Sequence, residues 1–172
     1  RSIAVTGVQT CALPISVNGT EYKGKNIVLA SGSVSKTFGL PIEGRVLTST
    51  EALEMDYLPN SAIVLGGGVI GCEFASMWKA MGVDVTIIEG LPNLVPNEDP
   101  SIIKVLERSF KKRGIKFNTG TLFEKVEQDA NGAKVTLADG KVFEADIVLV
   151  AVGRGPNTAG MGYEEQGIPM DR

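Results

Sequence analysis

Ser61-Ala62-Ile63-Val64-Leu65-Gly66-Gly67-Gly68-Val69-Ile70-Gly71 (SAIVLGGGVIG) is the stretch on which the fold turns. Ala62 to Leu65 is apolar without alternation, as in a strand buried on both faces. It runs into glycines, and the period then changes. Ile70, Phe74, Met77, Trp78 and Met81 recur at spacings of three and four, which predicts a helix from Val69 to Met81 with that face inward. Gly82 suits the left-handed stop of such a helix. The glycines themselves read GxGxxG. Gly66 permits a sharp strand-to-helix turn, Gly68 lets an anionic group approach the backbone, and Gly71 lets the helix pack closely on the strand. The free N–H groups and the dipole at the helix start attract phosphate.

A glycine pattern alone is a weak signal, because glycine turns are common. Here the next strand, Asp84 to Glu89 (DVTIIE), ends in an acid roughly twenty residues on, as a dinucleotide fingerprint requires. Glu89 is placed to accept hydrogen bonds from the adenine-ribose hydroxyls. A carboxylate there repels the extra phosphate of NADP, so NAD is the expected cofactor. Gly67, Val69 and Ile70 complete the loop. Glu73 falls beside the apolar helix face, and its spacing alone reads as a carboxylate favoured by the helix dipole. Cys72 reads as a small packed side chain.

Downstream, Asp99-Pro100 supplies an N-cap and a first-turn proline for a second helix. Ile102, Ile103, Leu106 and Phe110 are predicted to face inward, and Gly114 ends it. Lys104, Arg108, Lys111, Lys112 and Arg113 read as a solvated face with favourable charges at a helix C-terminus. Ile115 to Asn118 is a third strand. The period then becomes two over Leu122–Gln128, Ala133–Leu137 and Val142–Glu144, with turns at Asn131-Gly132 and Asp139-Gly140. That is an antiparallel meander after a βαβαβ unit. Ile147 to Val152 is a last buried strand, and residues 153–157 read as an irregular loop.

Upstream, Thr48-Ser49-Thr50-Glu51 is a capping box opening a short helix. Lys25 to Ala30 (KNIVLA) reads as a buried strand ending in the turn Ser31-Gly32-Ser33, and Asn18-Gly19 as a hairpin turn. Val5 to Ile15 (VTGVQTCALPI) fits neither period and matches the translation of a common sequencing-adapter oligonucleotide. Residues 1–16 are therefore expected to be non-native, and Cys11 to have no role.

The 172 residues suffice for one domain and part of another, and the net charge of −3 gives no field for nucleic acid or an anionic membrane. No apolar run approaches the roughly 18–20 residues of a membrane span. Two cysteines without CxxC spacing fit a reducing cytoplasm, and with no histidine the chain has no imidazole base or ligand.

The runs VNGTEYKGKNIVLASGS, STEAL, VLGGGVIGCEFASMW, GVDVTIIEGLPNLVPNED, RGIKF and VLVAVGRGPNT, in that order, resemble dihydrolipoamide dehydrogenases, within the pyridine nucleotide–disulfide oxidoreductases. The likeness runs from about Val17 to Arg172. The wording LPNLVPNEDPSIIKVLERSFKKRGIKF is most similar to actinobacterial members. NADP-binding glutathione reductases share the layout but place basic residues after the second strand, where this chain has Gly90-Leu91-Pro92-Asn93.

The resemblance implies an α/β fold, a Rossmann-type NAD-binding domain with parallel sheet, helices and antiparallel β-meander, flanked by remnants of an FAD-binding domain. It implies residues 17–45 as the end of a first FAD-domain segment, 46–150 as the NAD domain, and 151–172 as the start of a returning FAD-domain segment. By resemblance, Ser31, Gly32 and Ser33 contact FAD, and the stretch from Gly66 to Glu73 binds NAD. Glu73 would lie near the nicotinamide and the flavin in a supporting catalytic role, and backbone at Phe123 and Gly153 would touch NAD. Phe123 departs from the family's usual small β-branched residue. The implied activity is NAD-dependent oxidation of protein-bound dihydrolipoamide by a homodimeric flavoprotein serving the lipoyl-bearing acyltransferase of 2-oxo acid dehydrogenase complexes. The redox cysteine pair, the other FAD motifs and the His–Glu base pair of that family have no counterpart in this sequence, so the chain alone is expected to bind NAD at most. Two rivals remain: another flavin disulfide reductase, of mercuric reductase or soluble transhydrogenase type, and a non-catalytic NAD-binding module.

Overall fold

A computed structural model describes residues 15–170, so the expectations for residues 1–14, Cys11 among them, lie outside the described residues. The chain divides into two compact units, one of residues 34–155 and one whose described residues are 15–33 and 156–170.

In the larger unit, β4 (Val46–Leu47), β5 (Ser61–Leu65), β6 (Asp84–Glu89), β7 (Lys116–Thr119) and β11 (Ile147–Val150) form a five-stranded sheet in the order β4-β11-β5-β6-β7. Every pairing in it is parallel. Helices α1 (Ser49–Leu53), α2 (Val69–Ala80) and α3 (Pro100–Lys112) cover one face. Alternate strand residues supply the two sides of the sheet. Ala62, Val64, Val85, Ile87, Ile147 and Leu149 pack with Phe74, Ala75, Trp78, Ile103 and Phe110 of the helices. Ile63, Leu65, Ile88, Val148 and Val150 pack on the other face against Ala133, Val135 and Leu137. Those three belong to the antiparallel meander β8 (Phe123–Gln128), β9 (Ala133–Leu137) and β10 (Val142–Ala145). The continuous apolar run of β5 is thus explained by a layer on each side.

Local signals set the helix ends. Thr48 accepts from the Thr50 N–H, while the Glu51 carboxylate accepts from the Thr48 N–H at 2.8 Å, closing the capping box. Asp99 caps α3 through the Ser101 N–H at 2.8 Å, with Pro100 at the first helical position. Gly82 and Gly114 follow their helices at φ +97° and +76°, the left-handed conformation that glycine adopts freely.

Arg45 ties the meander to the sheet. Its guanidinium donates to the carbonyls of Asp129 (3.0 Å), Ala130 (2.6 Å) and Asp146 (3.0 Å). The Asp146 carboxylate accepts from the N–H groups of Asn60 and Ser61 at the mouth of β5. Burial, the largest influence on this carboxyl, pushes it up. The Asn60 and Ser61 N–H groups, with Arg45 nearby, outweigh burial and leave it below the ordinary carboxylate value.

Several sequence expectations fail. Met77, Met81 and Ile102 are exposed, because the buried stripe of α2 is made by Gly71, Cys72, Phe74, Ala75 and Trp78, and that of α3 by Ile103 and Phe110. Residues 25–30 form no strand, and Val28 is 86% exposed. A strand needs a neighbour to take its ladder hydrogen bonds, and no described strand pairs with this run. Residues 154–156, read as irregular, form β12, which pairs with β3 (Ser33–Ser35). In the smaller unit, β1 (Ile15–Val17) and β2 (Thr20–Tyr22) make a hairpin whose turn residues Asn18 and Gly19 both have positive φ, as a primed turn requires.

Candidate functional site

The glycine loop joins β5 to α2 at the carboxyl end of the parallel sheet, the end at which open α/β sheets bind ligands. The glycines differ in what surrounds them. Gly66 has φ +103°, and a Cβ there would collide with the Ala151 carbonyl of β11's continuation. A Cβ on Gly71 would collide with the Gly66 carbonyl and lie 3.1 Å from Val64 Cγ1, so its absence lets α2 sit on β5. A Cβ on Gly67 would come within 2.6 Å of the Leu94 side chain. Gly68 alone of the four would meet nothing within 4 Å. The loop therefore has three glycines needed for packing and one facing open space. The open one is also the N-cap of α2, a position with no side-chain cap, next to the unpaired N–H groups of a helix start. Val69 is 55% exposed, and Ile70 is half-buried against the helix-side core.

Glu89 ends β6 and reaches back to this loop. Its Oε2 accepts from the Gly67 N–H at 2.6 Å and its Oε1 from the Leu91 N–H at 2.8 Å. A carboxylate offers about four acceptor sites, so both oxygens keep capacity for a further donor. Glu89 thus fixes the loop and presents negative charge beside it.

Cys72, Leu94, Val95 and Glu107 complete the loop's surroundings. Val95 donates its N–H to the Gly67 carbonyl at 2.7 Å, and the Cys72 thiol donates to the same oxygen at 3.3 Å. Glu107 of α3 accepts from the Leu94 N–H at 3.2 Å. Burial first, then the Glu89 and Glu107 carboxylates, push the Cys72 thiol up to about 11. Cys72 was legible as a packed side chain, but no glycine or turn signal marks Leu94 or Val95.

The remaining candidates lie outside the glycine loop. Glu73 is exposed on α2. Phe123 is half-buried at the start of β8, opposite Leu137, in the core beneath the meander. Gly153 has φ +116°, open space at its Cβ position, and a carbonyl that accepts from the Lys36 N–H at 2.9 Å. In the smaller unit, Gly32 sits at φ +78°, and Asn157 holds the turn by donating its N–H to the Gly32 carbonyl and its Nδ2 to the Ser31 carbonyl. Ser33 opens β3. Among the described residues Cys72 is the free cysteine, and no group of three potential metal-ligating side chains occurs. No helix among them is long and apolar enough to cross a membrane.

A family model described as pyridine nucleotide-disulphide oxidoreductase matches residues 3–172. A dihydrolipoamide dehydrogenase from Chaetomium thermophilum is 41% identical over 160 residues, covering 88% of this chain and 32% of the relative. The crystal structure of LpdA from Mycobacterium tuberculosis superposes with a TM-score of 0.75 at 33% identity, over 83% of this chain and 31% of LpdA. The HOCl-induced flavoprotein disulfide reductase RclA from Escherichia coli also gives a TM-score of 0.75, at 30% identity, over 83% of this chain and 33% of RclA. The chain thus spans about a third of the length of the proteins it matches. That family's chemistry uses FAD and a pyridine nucleotide. With the family model matched over nearly the whole sequence, the chain belongs to the pyridine nucleotide–disulphide oxidoreductase family.

Proposed function

We propose that the unit of residues 34–155 binds NAD at the glycine loop, as part of a dihydrolipoyl dehydrogenase. The single observation that carries the cofactor reading is the pair formed by Gly68 and Glu89. Gly68 leaves open space against the backbone at a helix start, and Glu89 holds a carboxylate on the N–H of the preceding glycine, Gly67. The first suits a pyrophosphate, and the second suits ribose hydroxyls while repelling a 2′-phosphate. Gly66, Gly67, Gly68, Val69, Ile70 and Gly71 form the cradle in this reading. Glu73, Phe123 and Gly153 are assigned to NAD, and Ser31, Gly32 and Ser33 to FAD, by family resemblance.

The parent activity in this reading is oxidation of a protein-bound dihydrolipoyl group of 2-oxo acid dehydrogenase complexes by a homodimer. FAD would relay the electrons to the nicotinamide. This chain's own residues bind and orient the dinucleotide, and they carry no redox cysteine pair or histidine base. RclA's equal TM-score favours a second reading, another flavin disulfide reductase, which the cysteine motif of the full reading frame distinguishes. Residues 1–16 are proposed to be non-native, although the family match itself starts at residue 3. Sequencing the gene upstream of Ser16 tests that.

Calorimetric titration of the full chain with NAD and with NADP tests the cofactor reading. NAD binding with weaker or absent NADP binding is expected. A chain that binds neither overturns it.

A further inference from the structure

The Gly67–Gly68 peptide is held from one side only. Its carbonyl accepts from the Val95 N–H at 2.7 Å and from the Cys72 thiol at 3.3 Å. A trans peptide is planar, with its C=O and N–H pointing in opposite directions. Fixing the Gly67 carbonyl toward Val95 therefore aims the Gly68 N–H away from Val95. Gly68 is the glycine whose Cβ position is open to 4 Å.

The donor in this contact is held at a cost. Val95 has φ +40°, in the left-handed region where a β-branched residue is a genuine outlier, and it is 8% exposed. Such a conformation persists only where the surroundings over-determine it. Here they do so from both sides. The Leu94 side chain is fully buried against Gly67, and the Leu94 N–H donates to Glu107 Oε1 of α3 at 3.2 Å. On the other side the Val95 carbonyl accepts from the Glu98 N–H at 3.0 Å. A loop needed only to connect β6 to α3 has no reason to hold a valine in this conformation.

We propose that Val95 and Glu107 are positioning residues for the pyrophosphate of the bound dinucleotide: Glu107 fixes the Leu94–Val95 bend, and Val95 fixes the peptide plane that aims the Gly68 N–H. The proposal rests on the dinucleotide reading above and adds to it the α3 residue that sets the loop. It assigns the Glu107–Val95 path to the phosphates and not to the adenosine half, which Glu89 serves.

The test uses the full chain, with ADP-ribose and adenosine as probes, in three forms: unsubstituted, Glu107→Ala and Glu107→Gln. Glu107→Ala is expected to weaken ADP-ribose binding roughly fivefold or more, the size of one lost hydrogen bond. Glu107→Gln keeps a carbonyl acceptor and should stay within about twofold of the unsubstituted chain. Adenosine affinity should be equal in all three. Glu107→Ala binding ADP-ribose as tightly as the unsubstituted chain, or losing adenosine in parallel, overturns the proposal.

Should Glu107→Ala fail to fold, amide exchange in the unsubstituted chain decides. If pyrophosphate binding requires the Val95–Gly67 bond, saturating ADP-ribose slows exchange of the Val95 amide by the factor set by ligand excess over Kd, and adenosine leaves it unchanged. A Val95 amide indifferent to ADP-ribose refutes the positioning role while leaving NAD binding in place. An unsubstituted chain that binds no ADP-ribose ends both readings.

Discussion

Glu89 and Gly67 are joined by a 2.6 Å hydrogen bond between a carboxylate oxygen and a backbone N–H, 22 residues apart in sequence. The acid that the dinucleotide fingerprint reserves for a ribose therefore also shapes the loop that would hold the phosphates. One side chain couples the two halves of the candidate site.

Glu89→Ala removes both functions at once. A hydrogen bond to a charged group contributes about 1.5–3 kcal/mol, so NAD affinity is expected to fall roughly tenfold or more. NADP affinity should fall less, because repulsion of its extra phosphate is also removed, and the NAD/NADP ratio narrows. Calorimetry with both nucleotides checks this, and an unchanged NAD affinity would remove Glu89 from the site.

Gly68→Ala and Gly71→Ala should separate binding from stability. At Gly71 the added methyl meets the Gly66 carbonyl and Val64, and overpacking of this kind costs about 1–3 kcal/mol. At Gly68 the methyl meets nothing within 4 Å, so the melting temperature should stay near that of the unsubstituted chain while NAD binding is lost. Thermal unfolding and nucleotide titration of both variants read out the contrast. Equal loss of stability at the two positions would contradict it.

Cys72 should resist alkylation. Its thiol is buried and pushed up to about 11, so little thiolate exists near neutrality. The folded value lies above the ordinary thiol value of 9.0. Folding therefore favours the protonated form, and that contribution is present below the unfolded pKa and is lost as pH rises toward 11. Iodoacetamide labelling followed by mass spectrometry should find Cys72 unmodified at pH 8 in the folded chain and labelled in denaturant. Rapid labelling of the folded chain at pH 8 is the contrary result.

Asp146 should steepen acid unfolding. Its folded pKa lies below the unfolded value of about 3.9, so its contribution is fully present above that value and is lost as pH falls through the folded pKa. Asp146→Asn is expected to lower stability at neutral pH by about 1 kcal/mol, and to flatten the fall below about pH 4. Urea titrations at pH 7 and pH 3 check both. Parallel acid limbs for the two proteins would exclude the assignment.

Elements whose partners follow within the same unit were legible in the sequence. β5, α2, β6 and α3 each carry a period, a cap or a stop of their own, and the meander carries its turns at Asn131-Gly132 and Asp139-Gly140. Glu89 was legible because a strand end fixes where a side chain lies relative to the strand beside it. The KNIVLA run was misread because its apolar character reports a need for a neighbour and not the presence of one. Ile102, Met77 and Met81 were misassigned because helical spacing gives the direction of an apolar stripe more surely than its width. The Val95 contact was invisible: a left-handed valine has no sequence signature, and the groups that hold it, the Gly67 carbonyl, the Glu98 N–H and, through Leu94, Glu107, come from across the loop and from α3.

The Lys36 N–H and the Gly153 carbonyl meet at 2.9 Å, at opposite ends of the larger unit. The polypeptide that leaves this domain does so next to the point at which it entered. Such a domain behaves as a cassette: spliced into another fold, it presents its host with two stumps already held together, as a tight turn would. The loop-closure entropy of well over a hundred intervening residues is then borne by the cassette's own core and not by any fold that would host it.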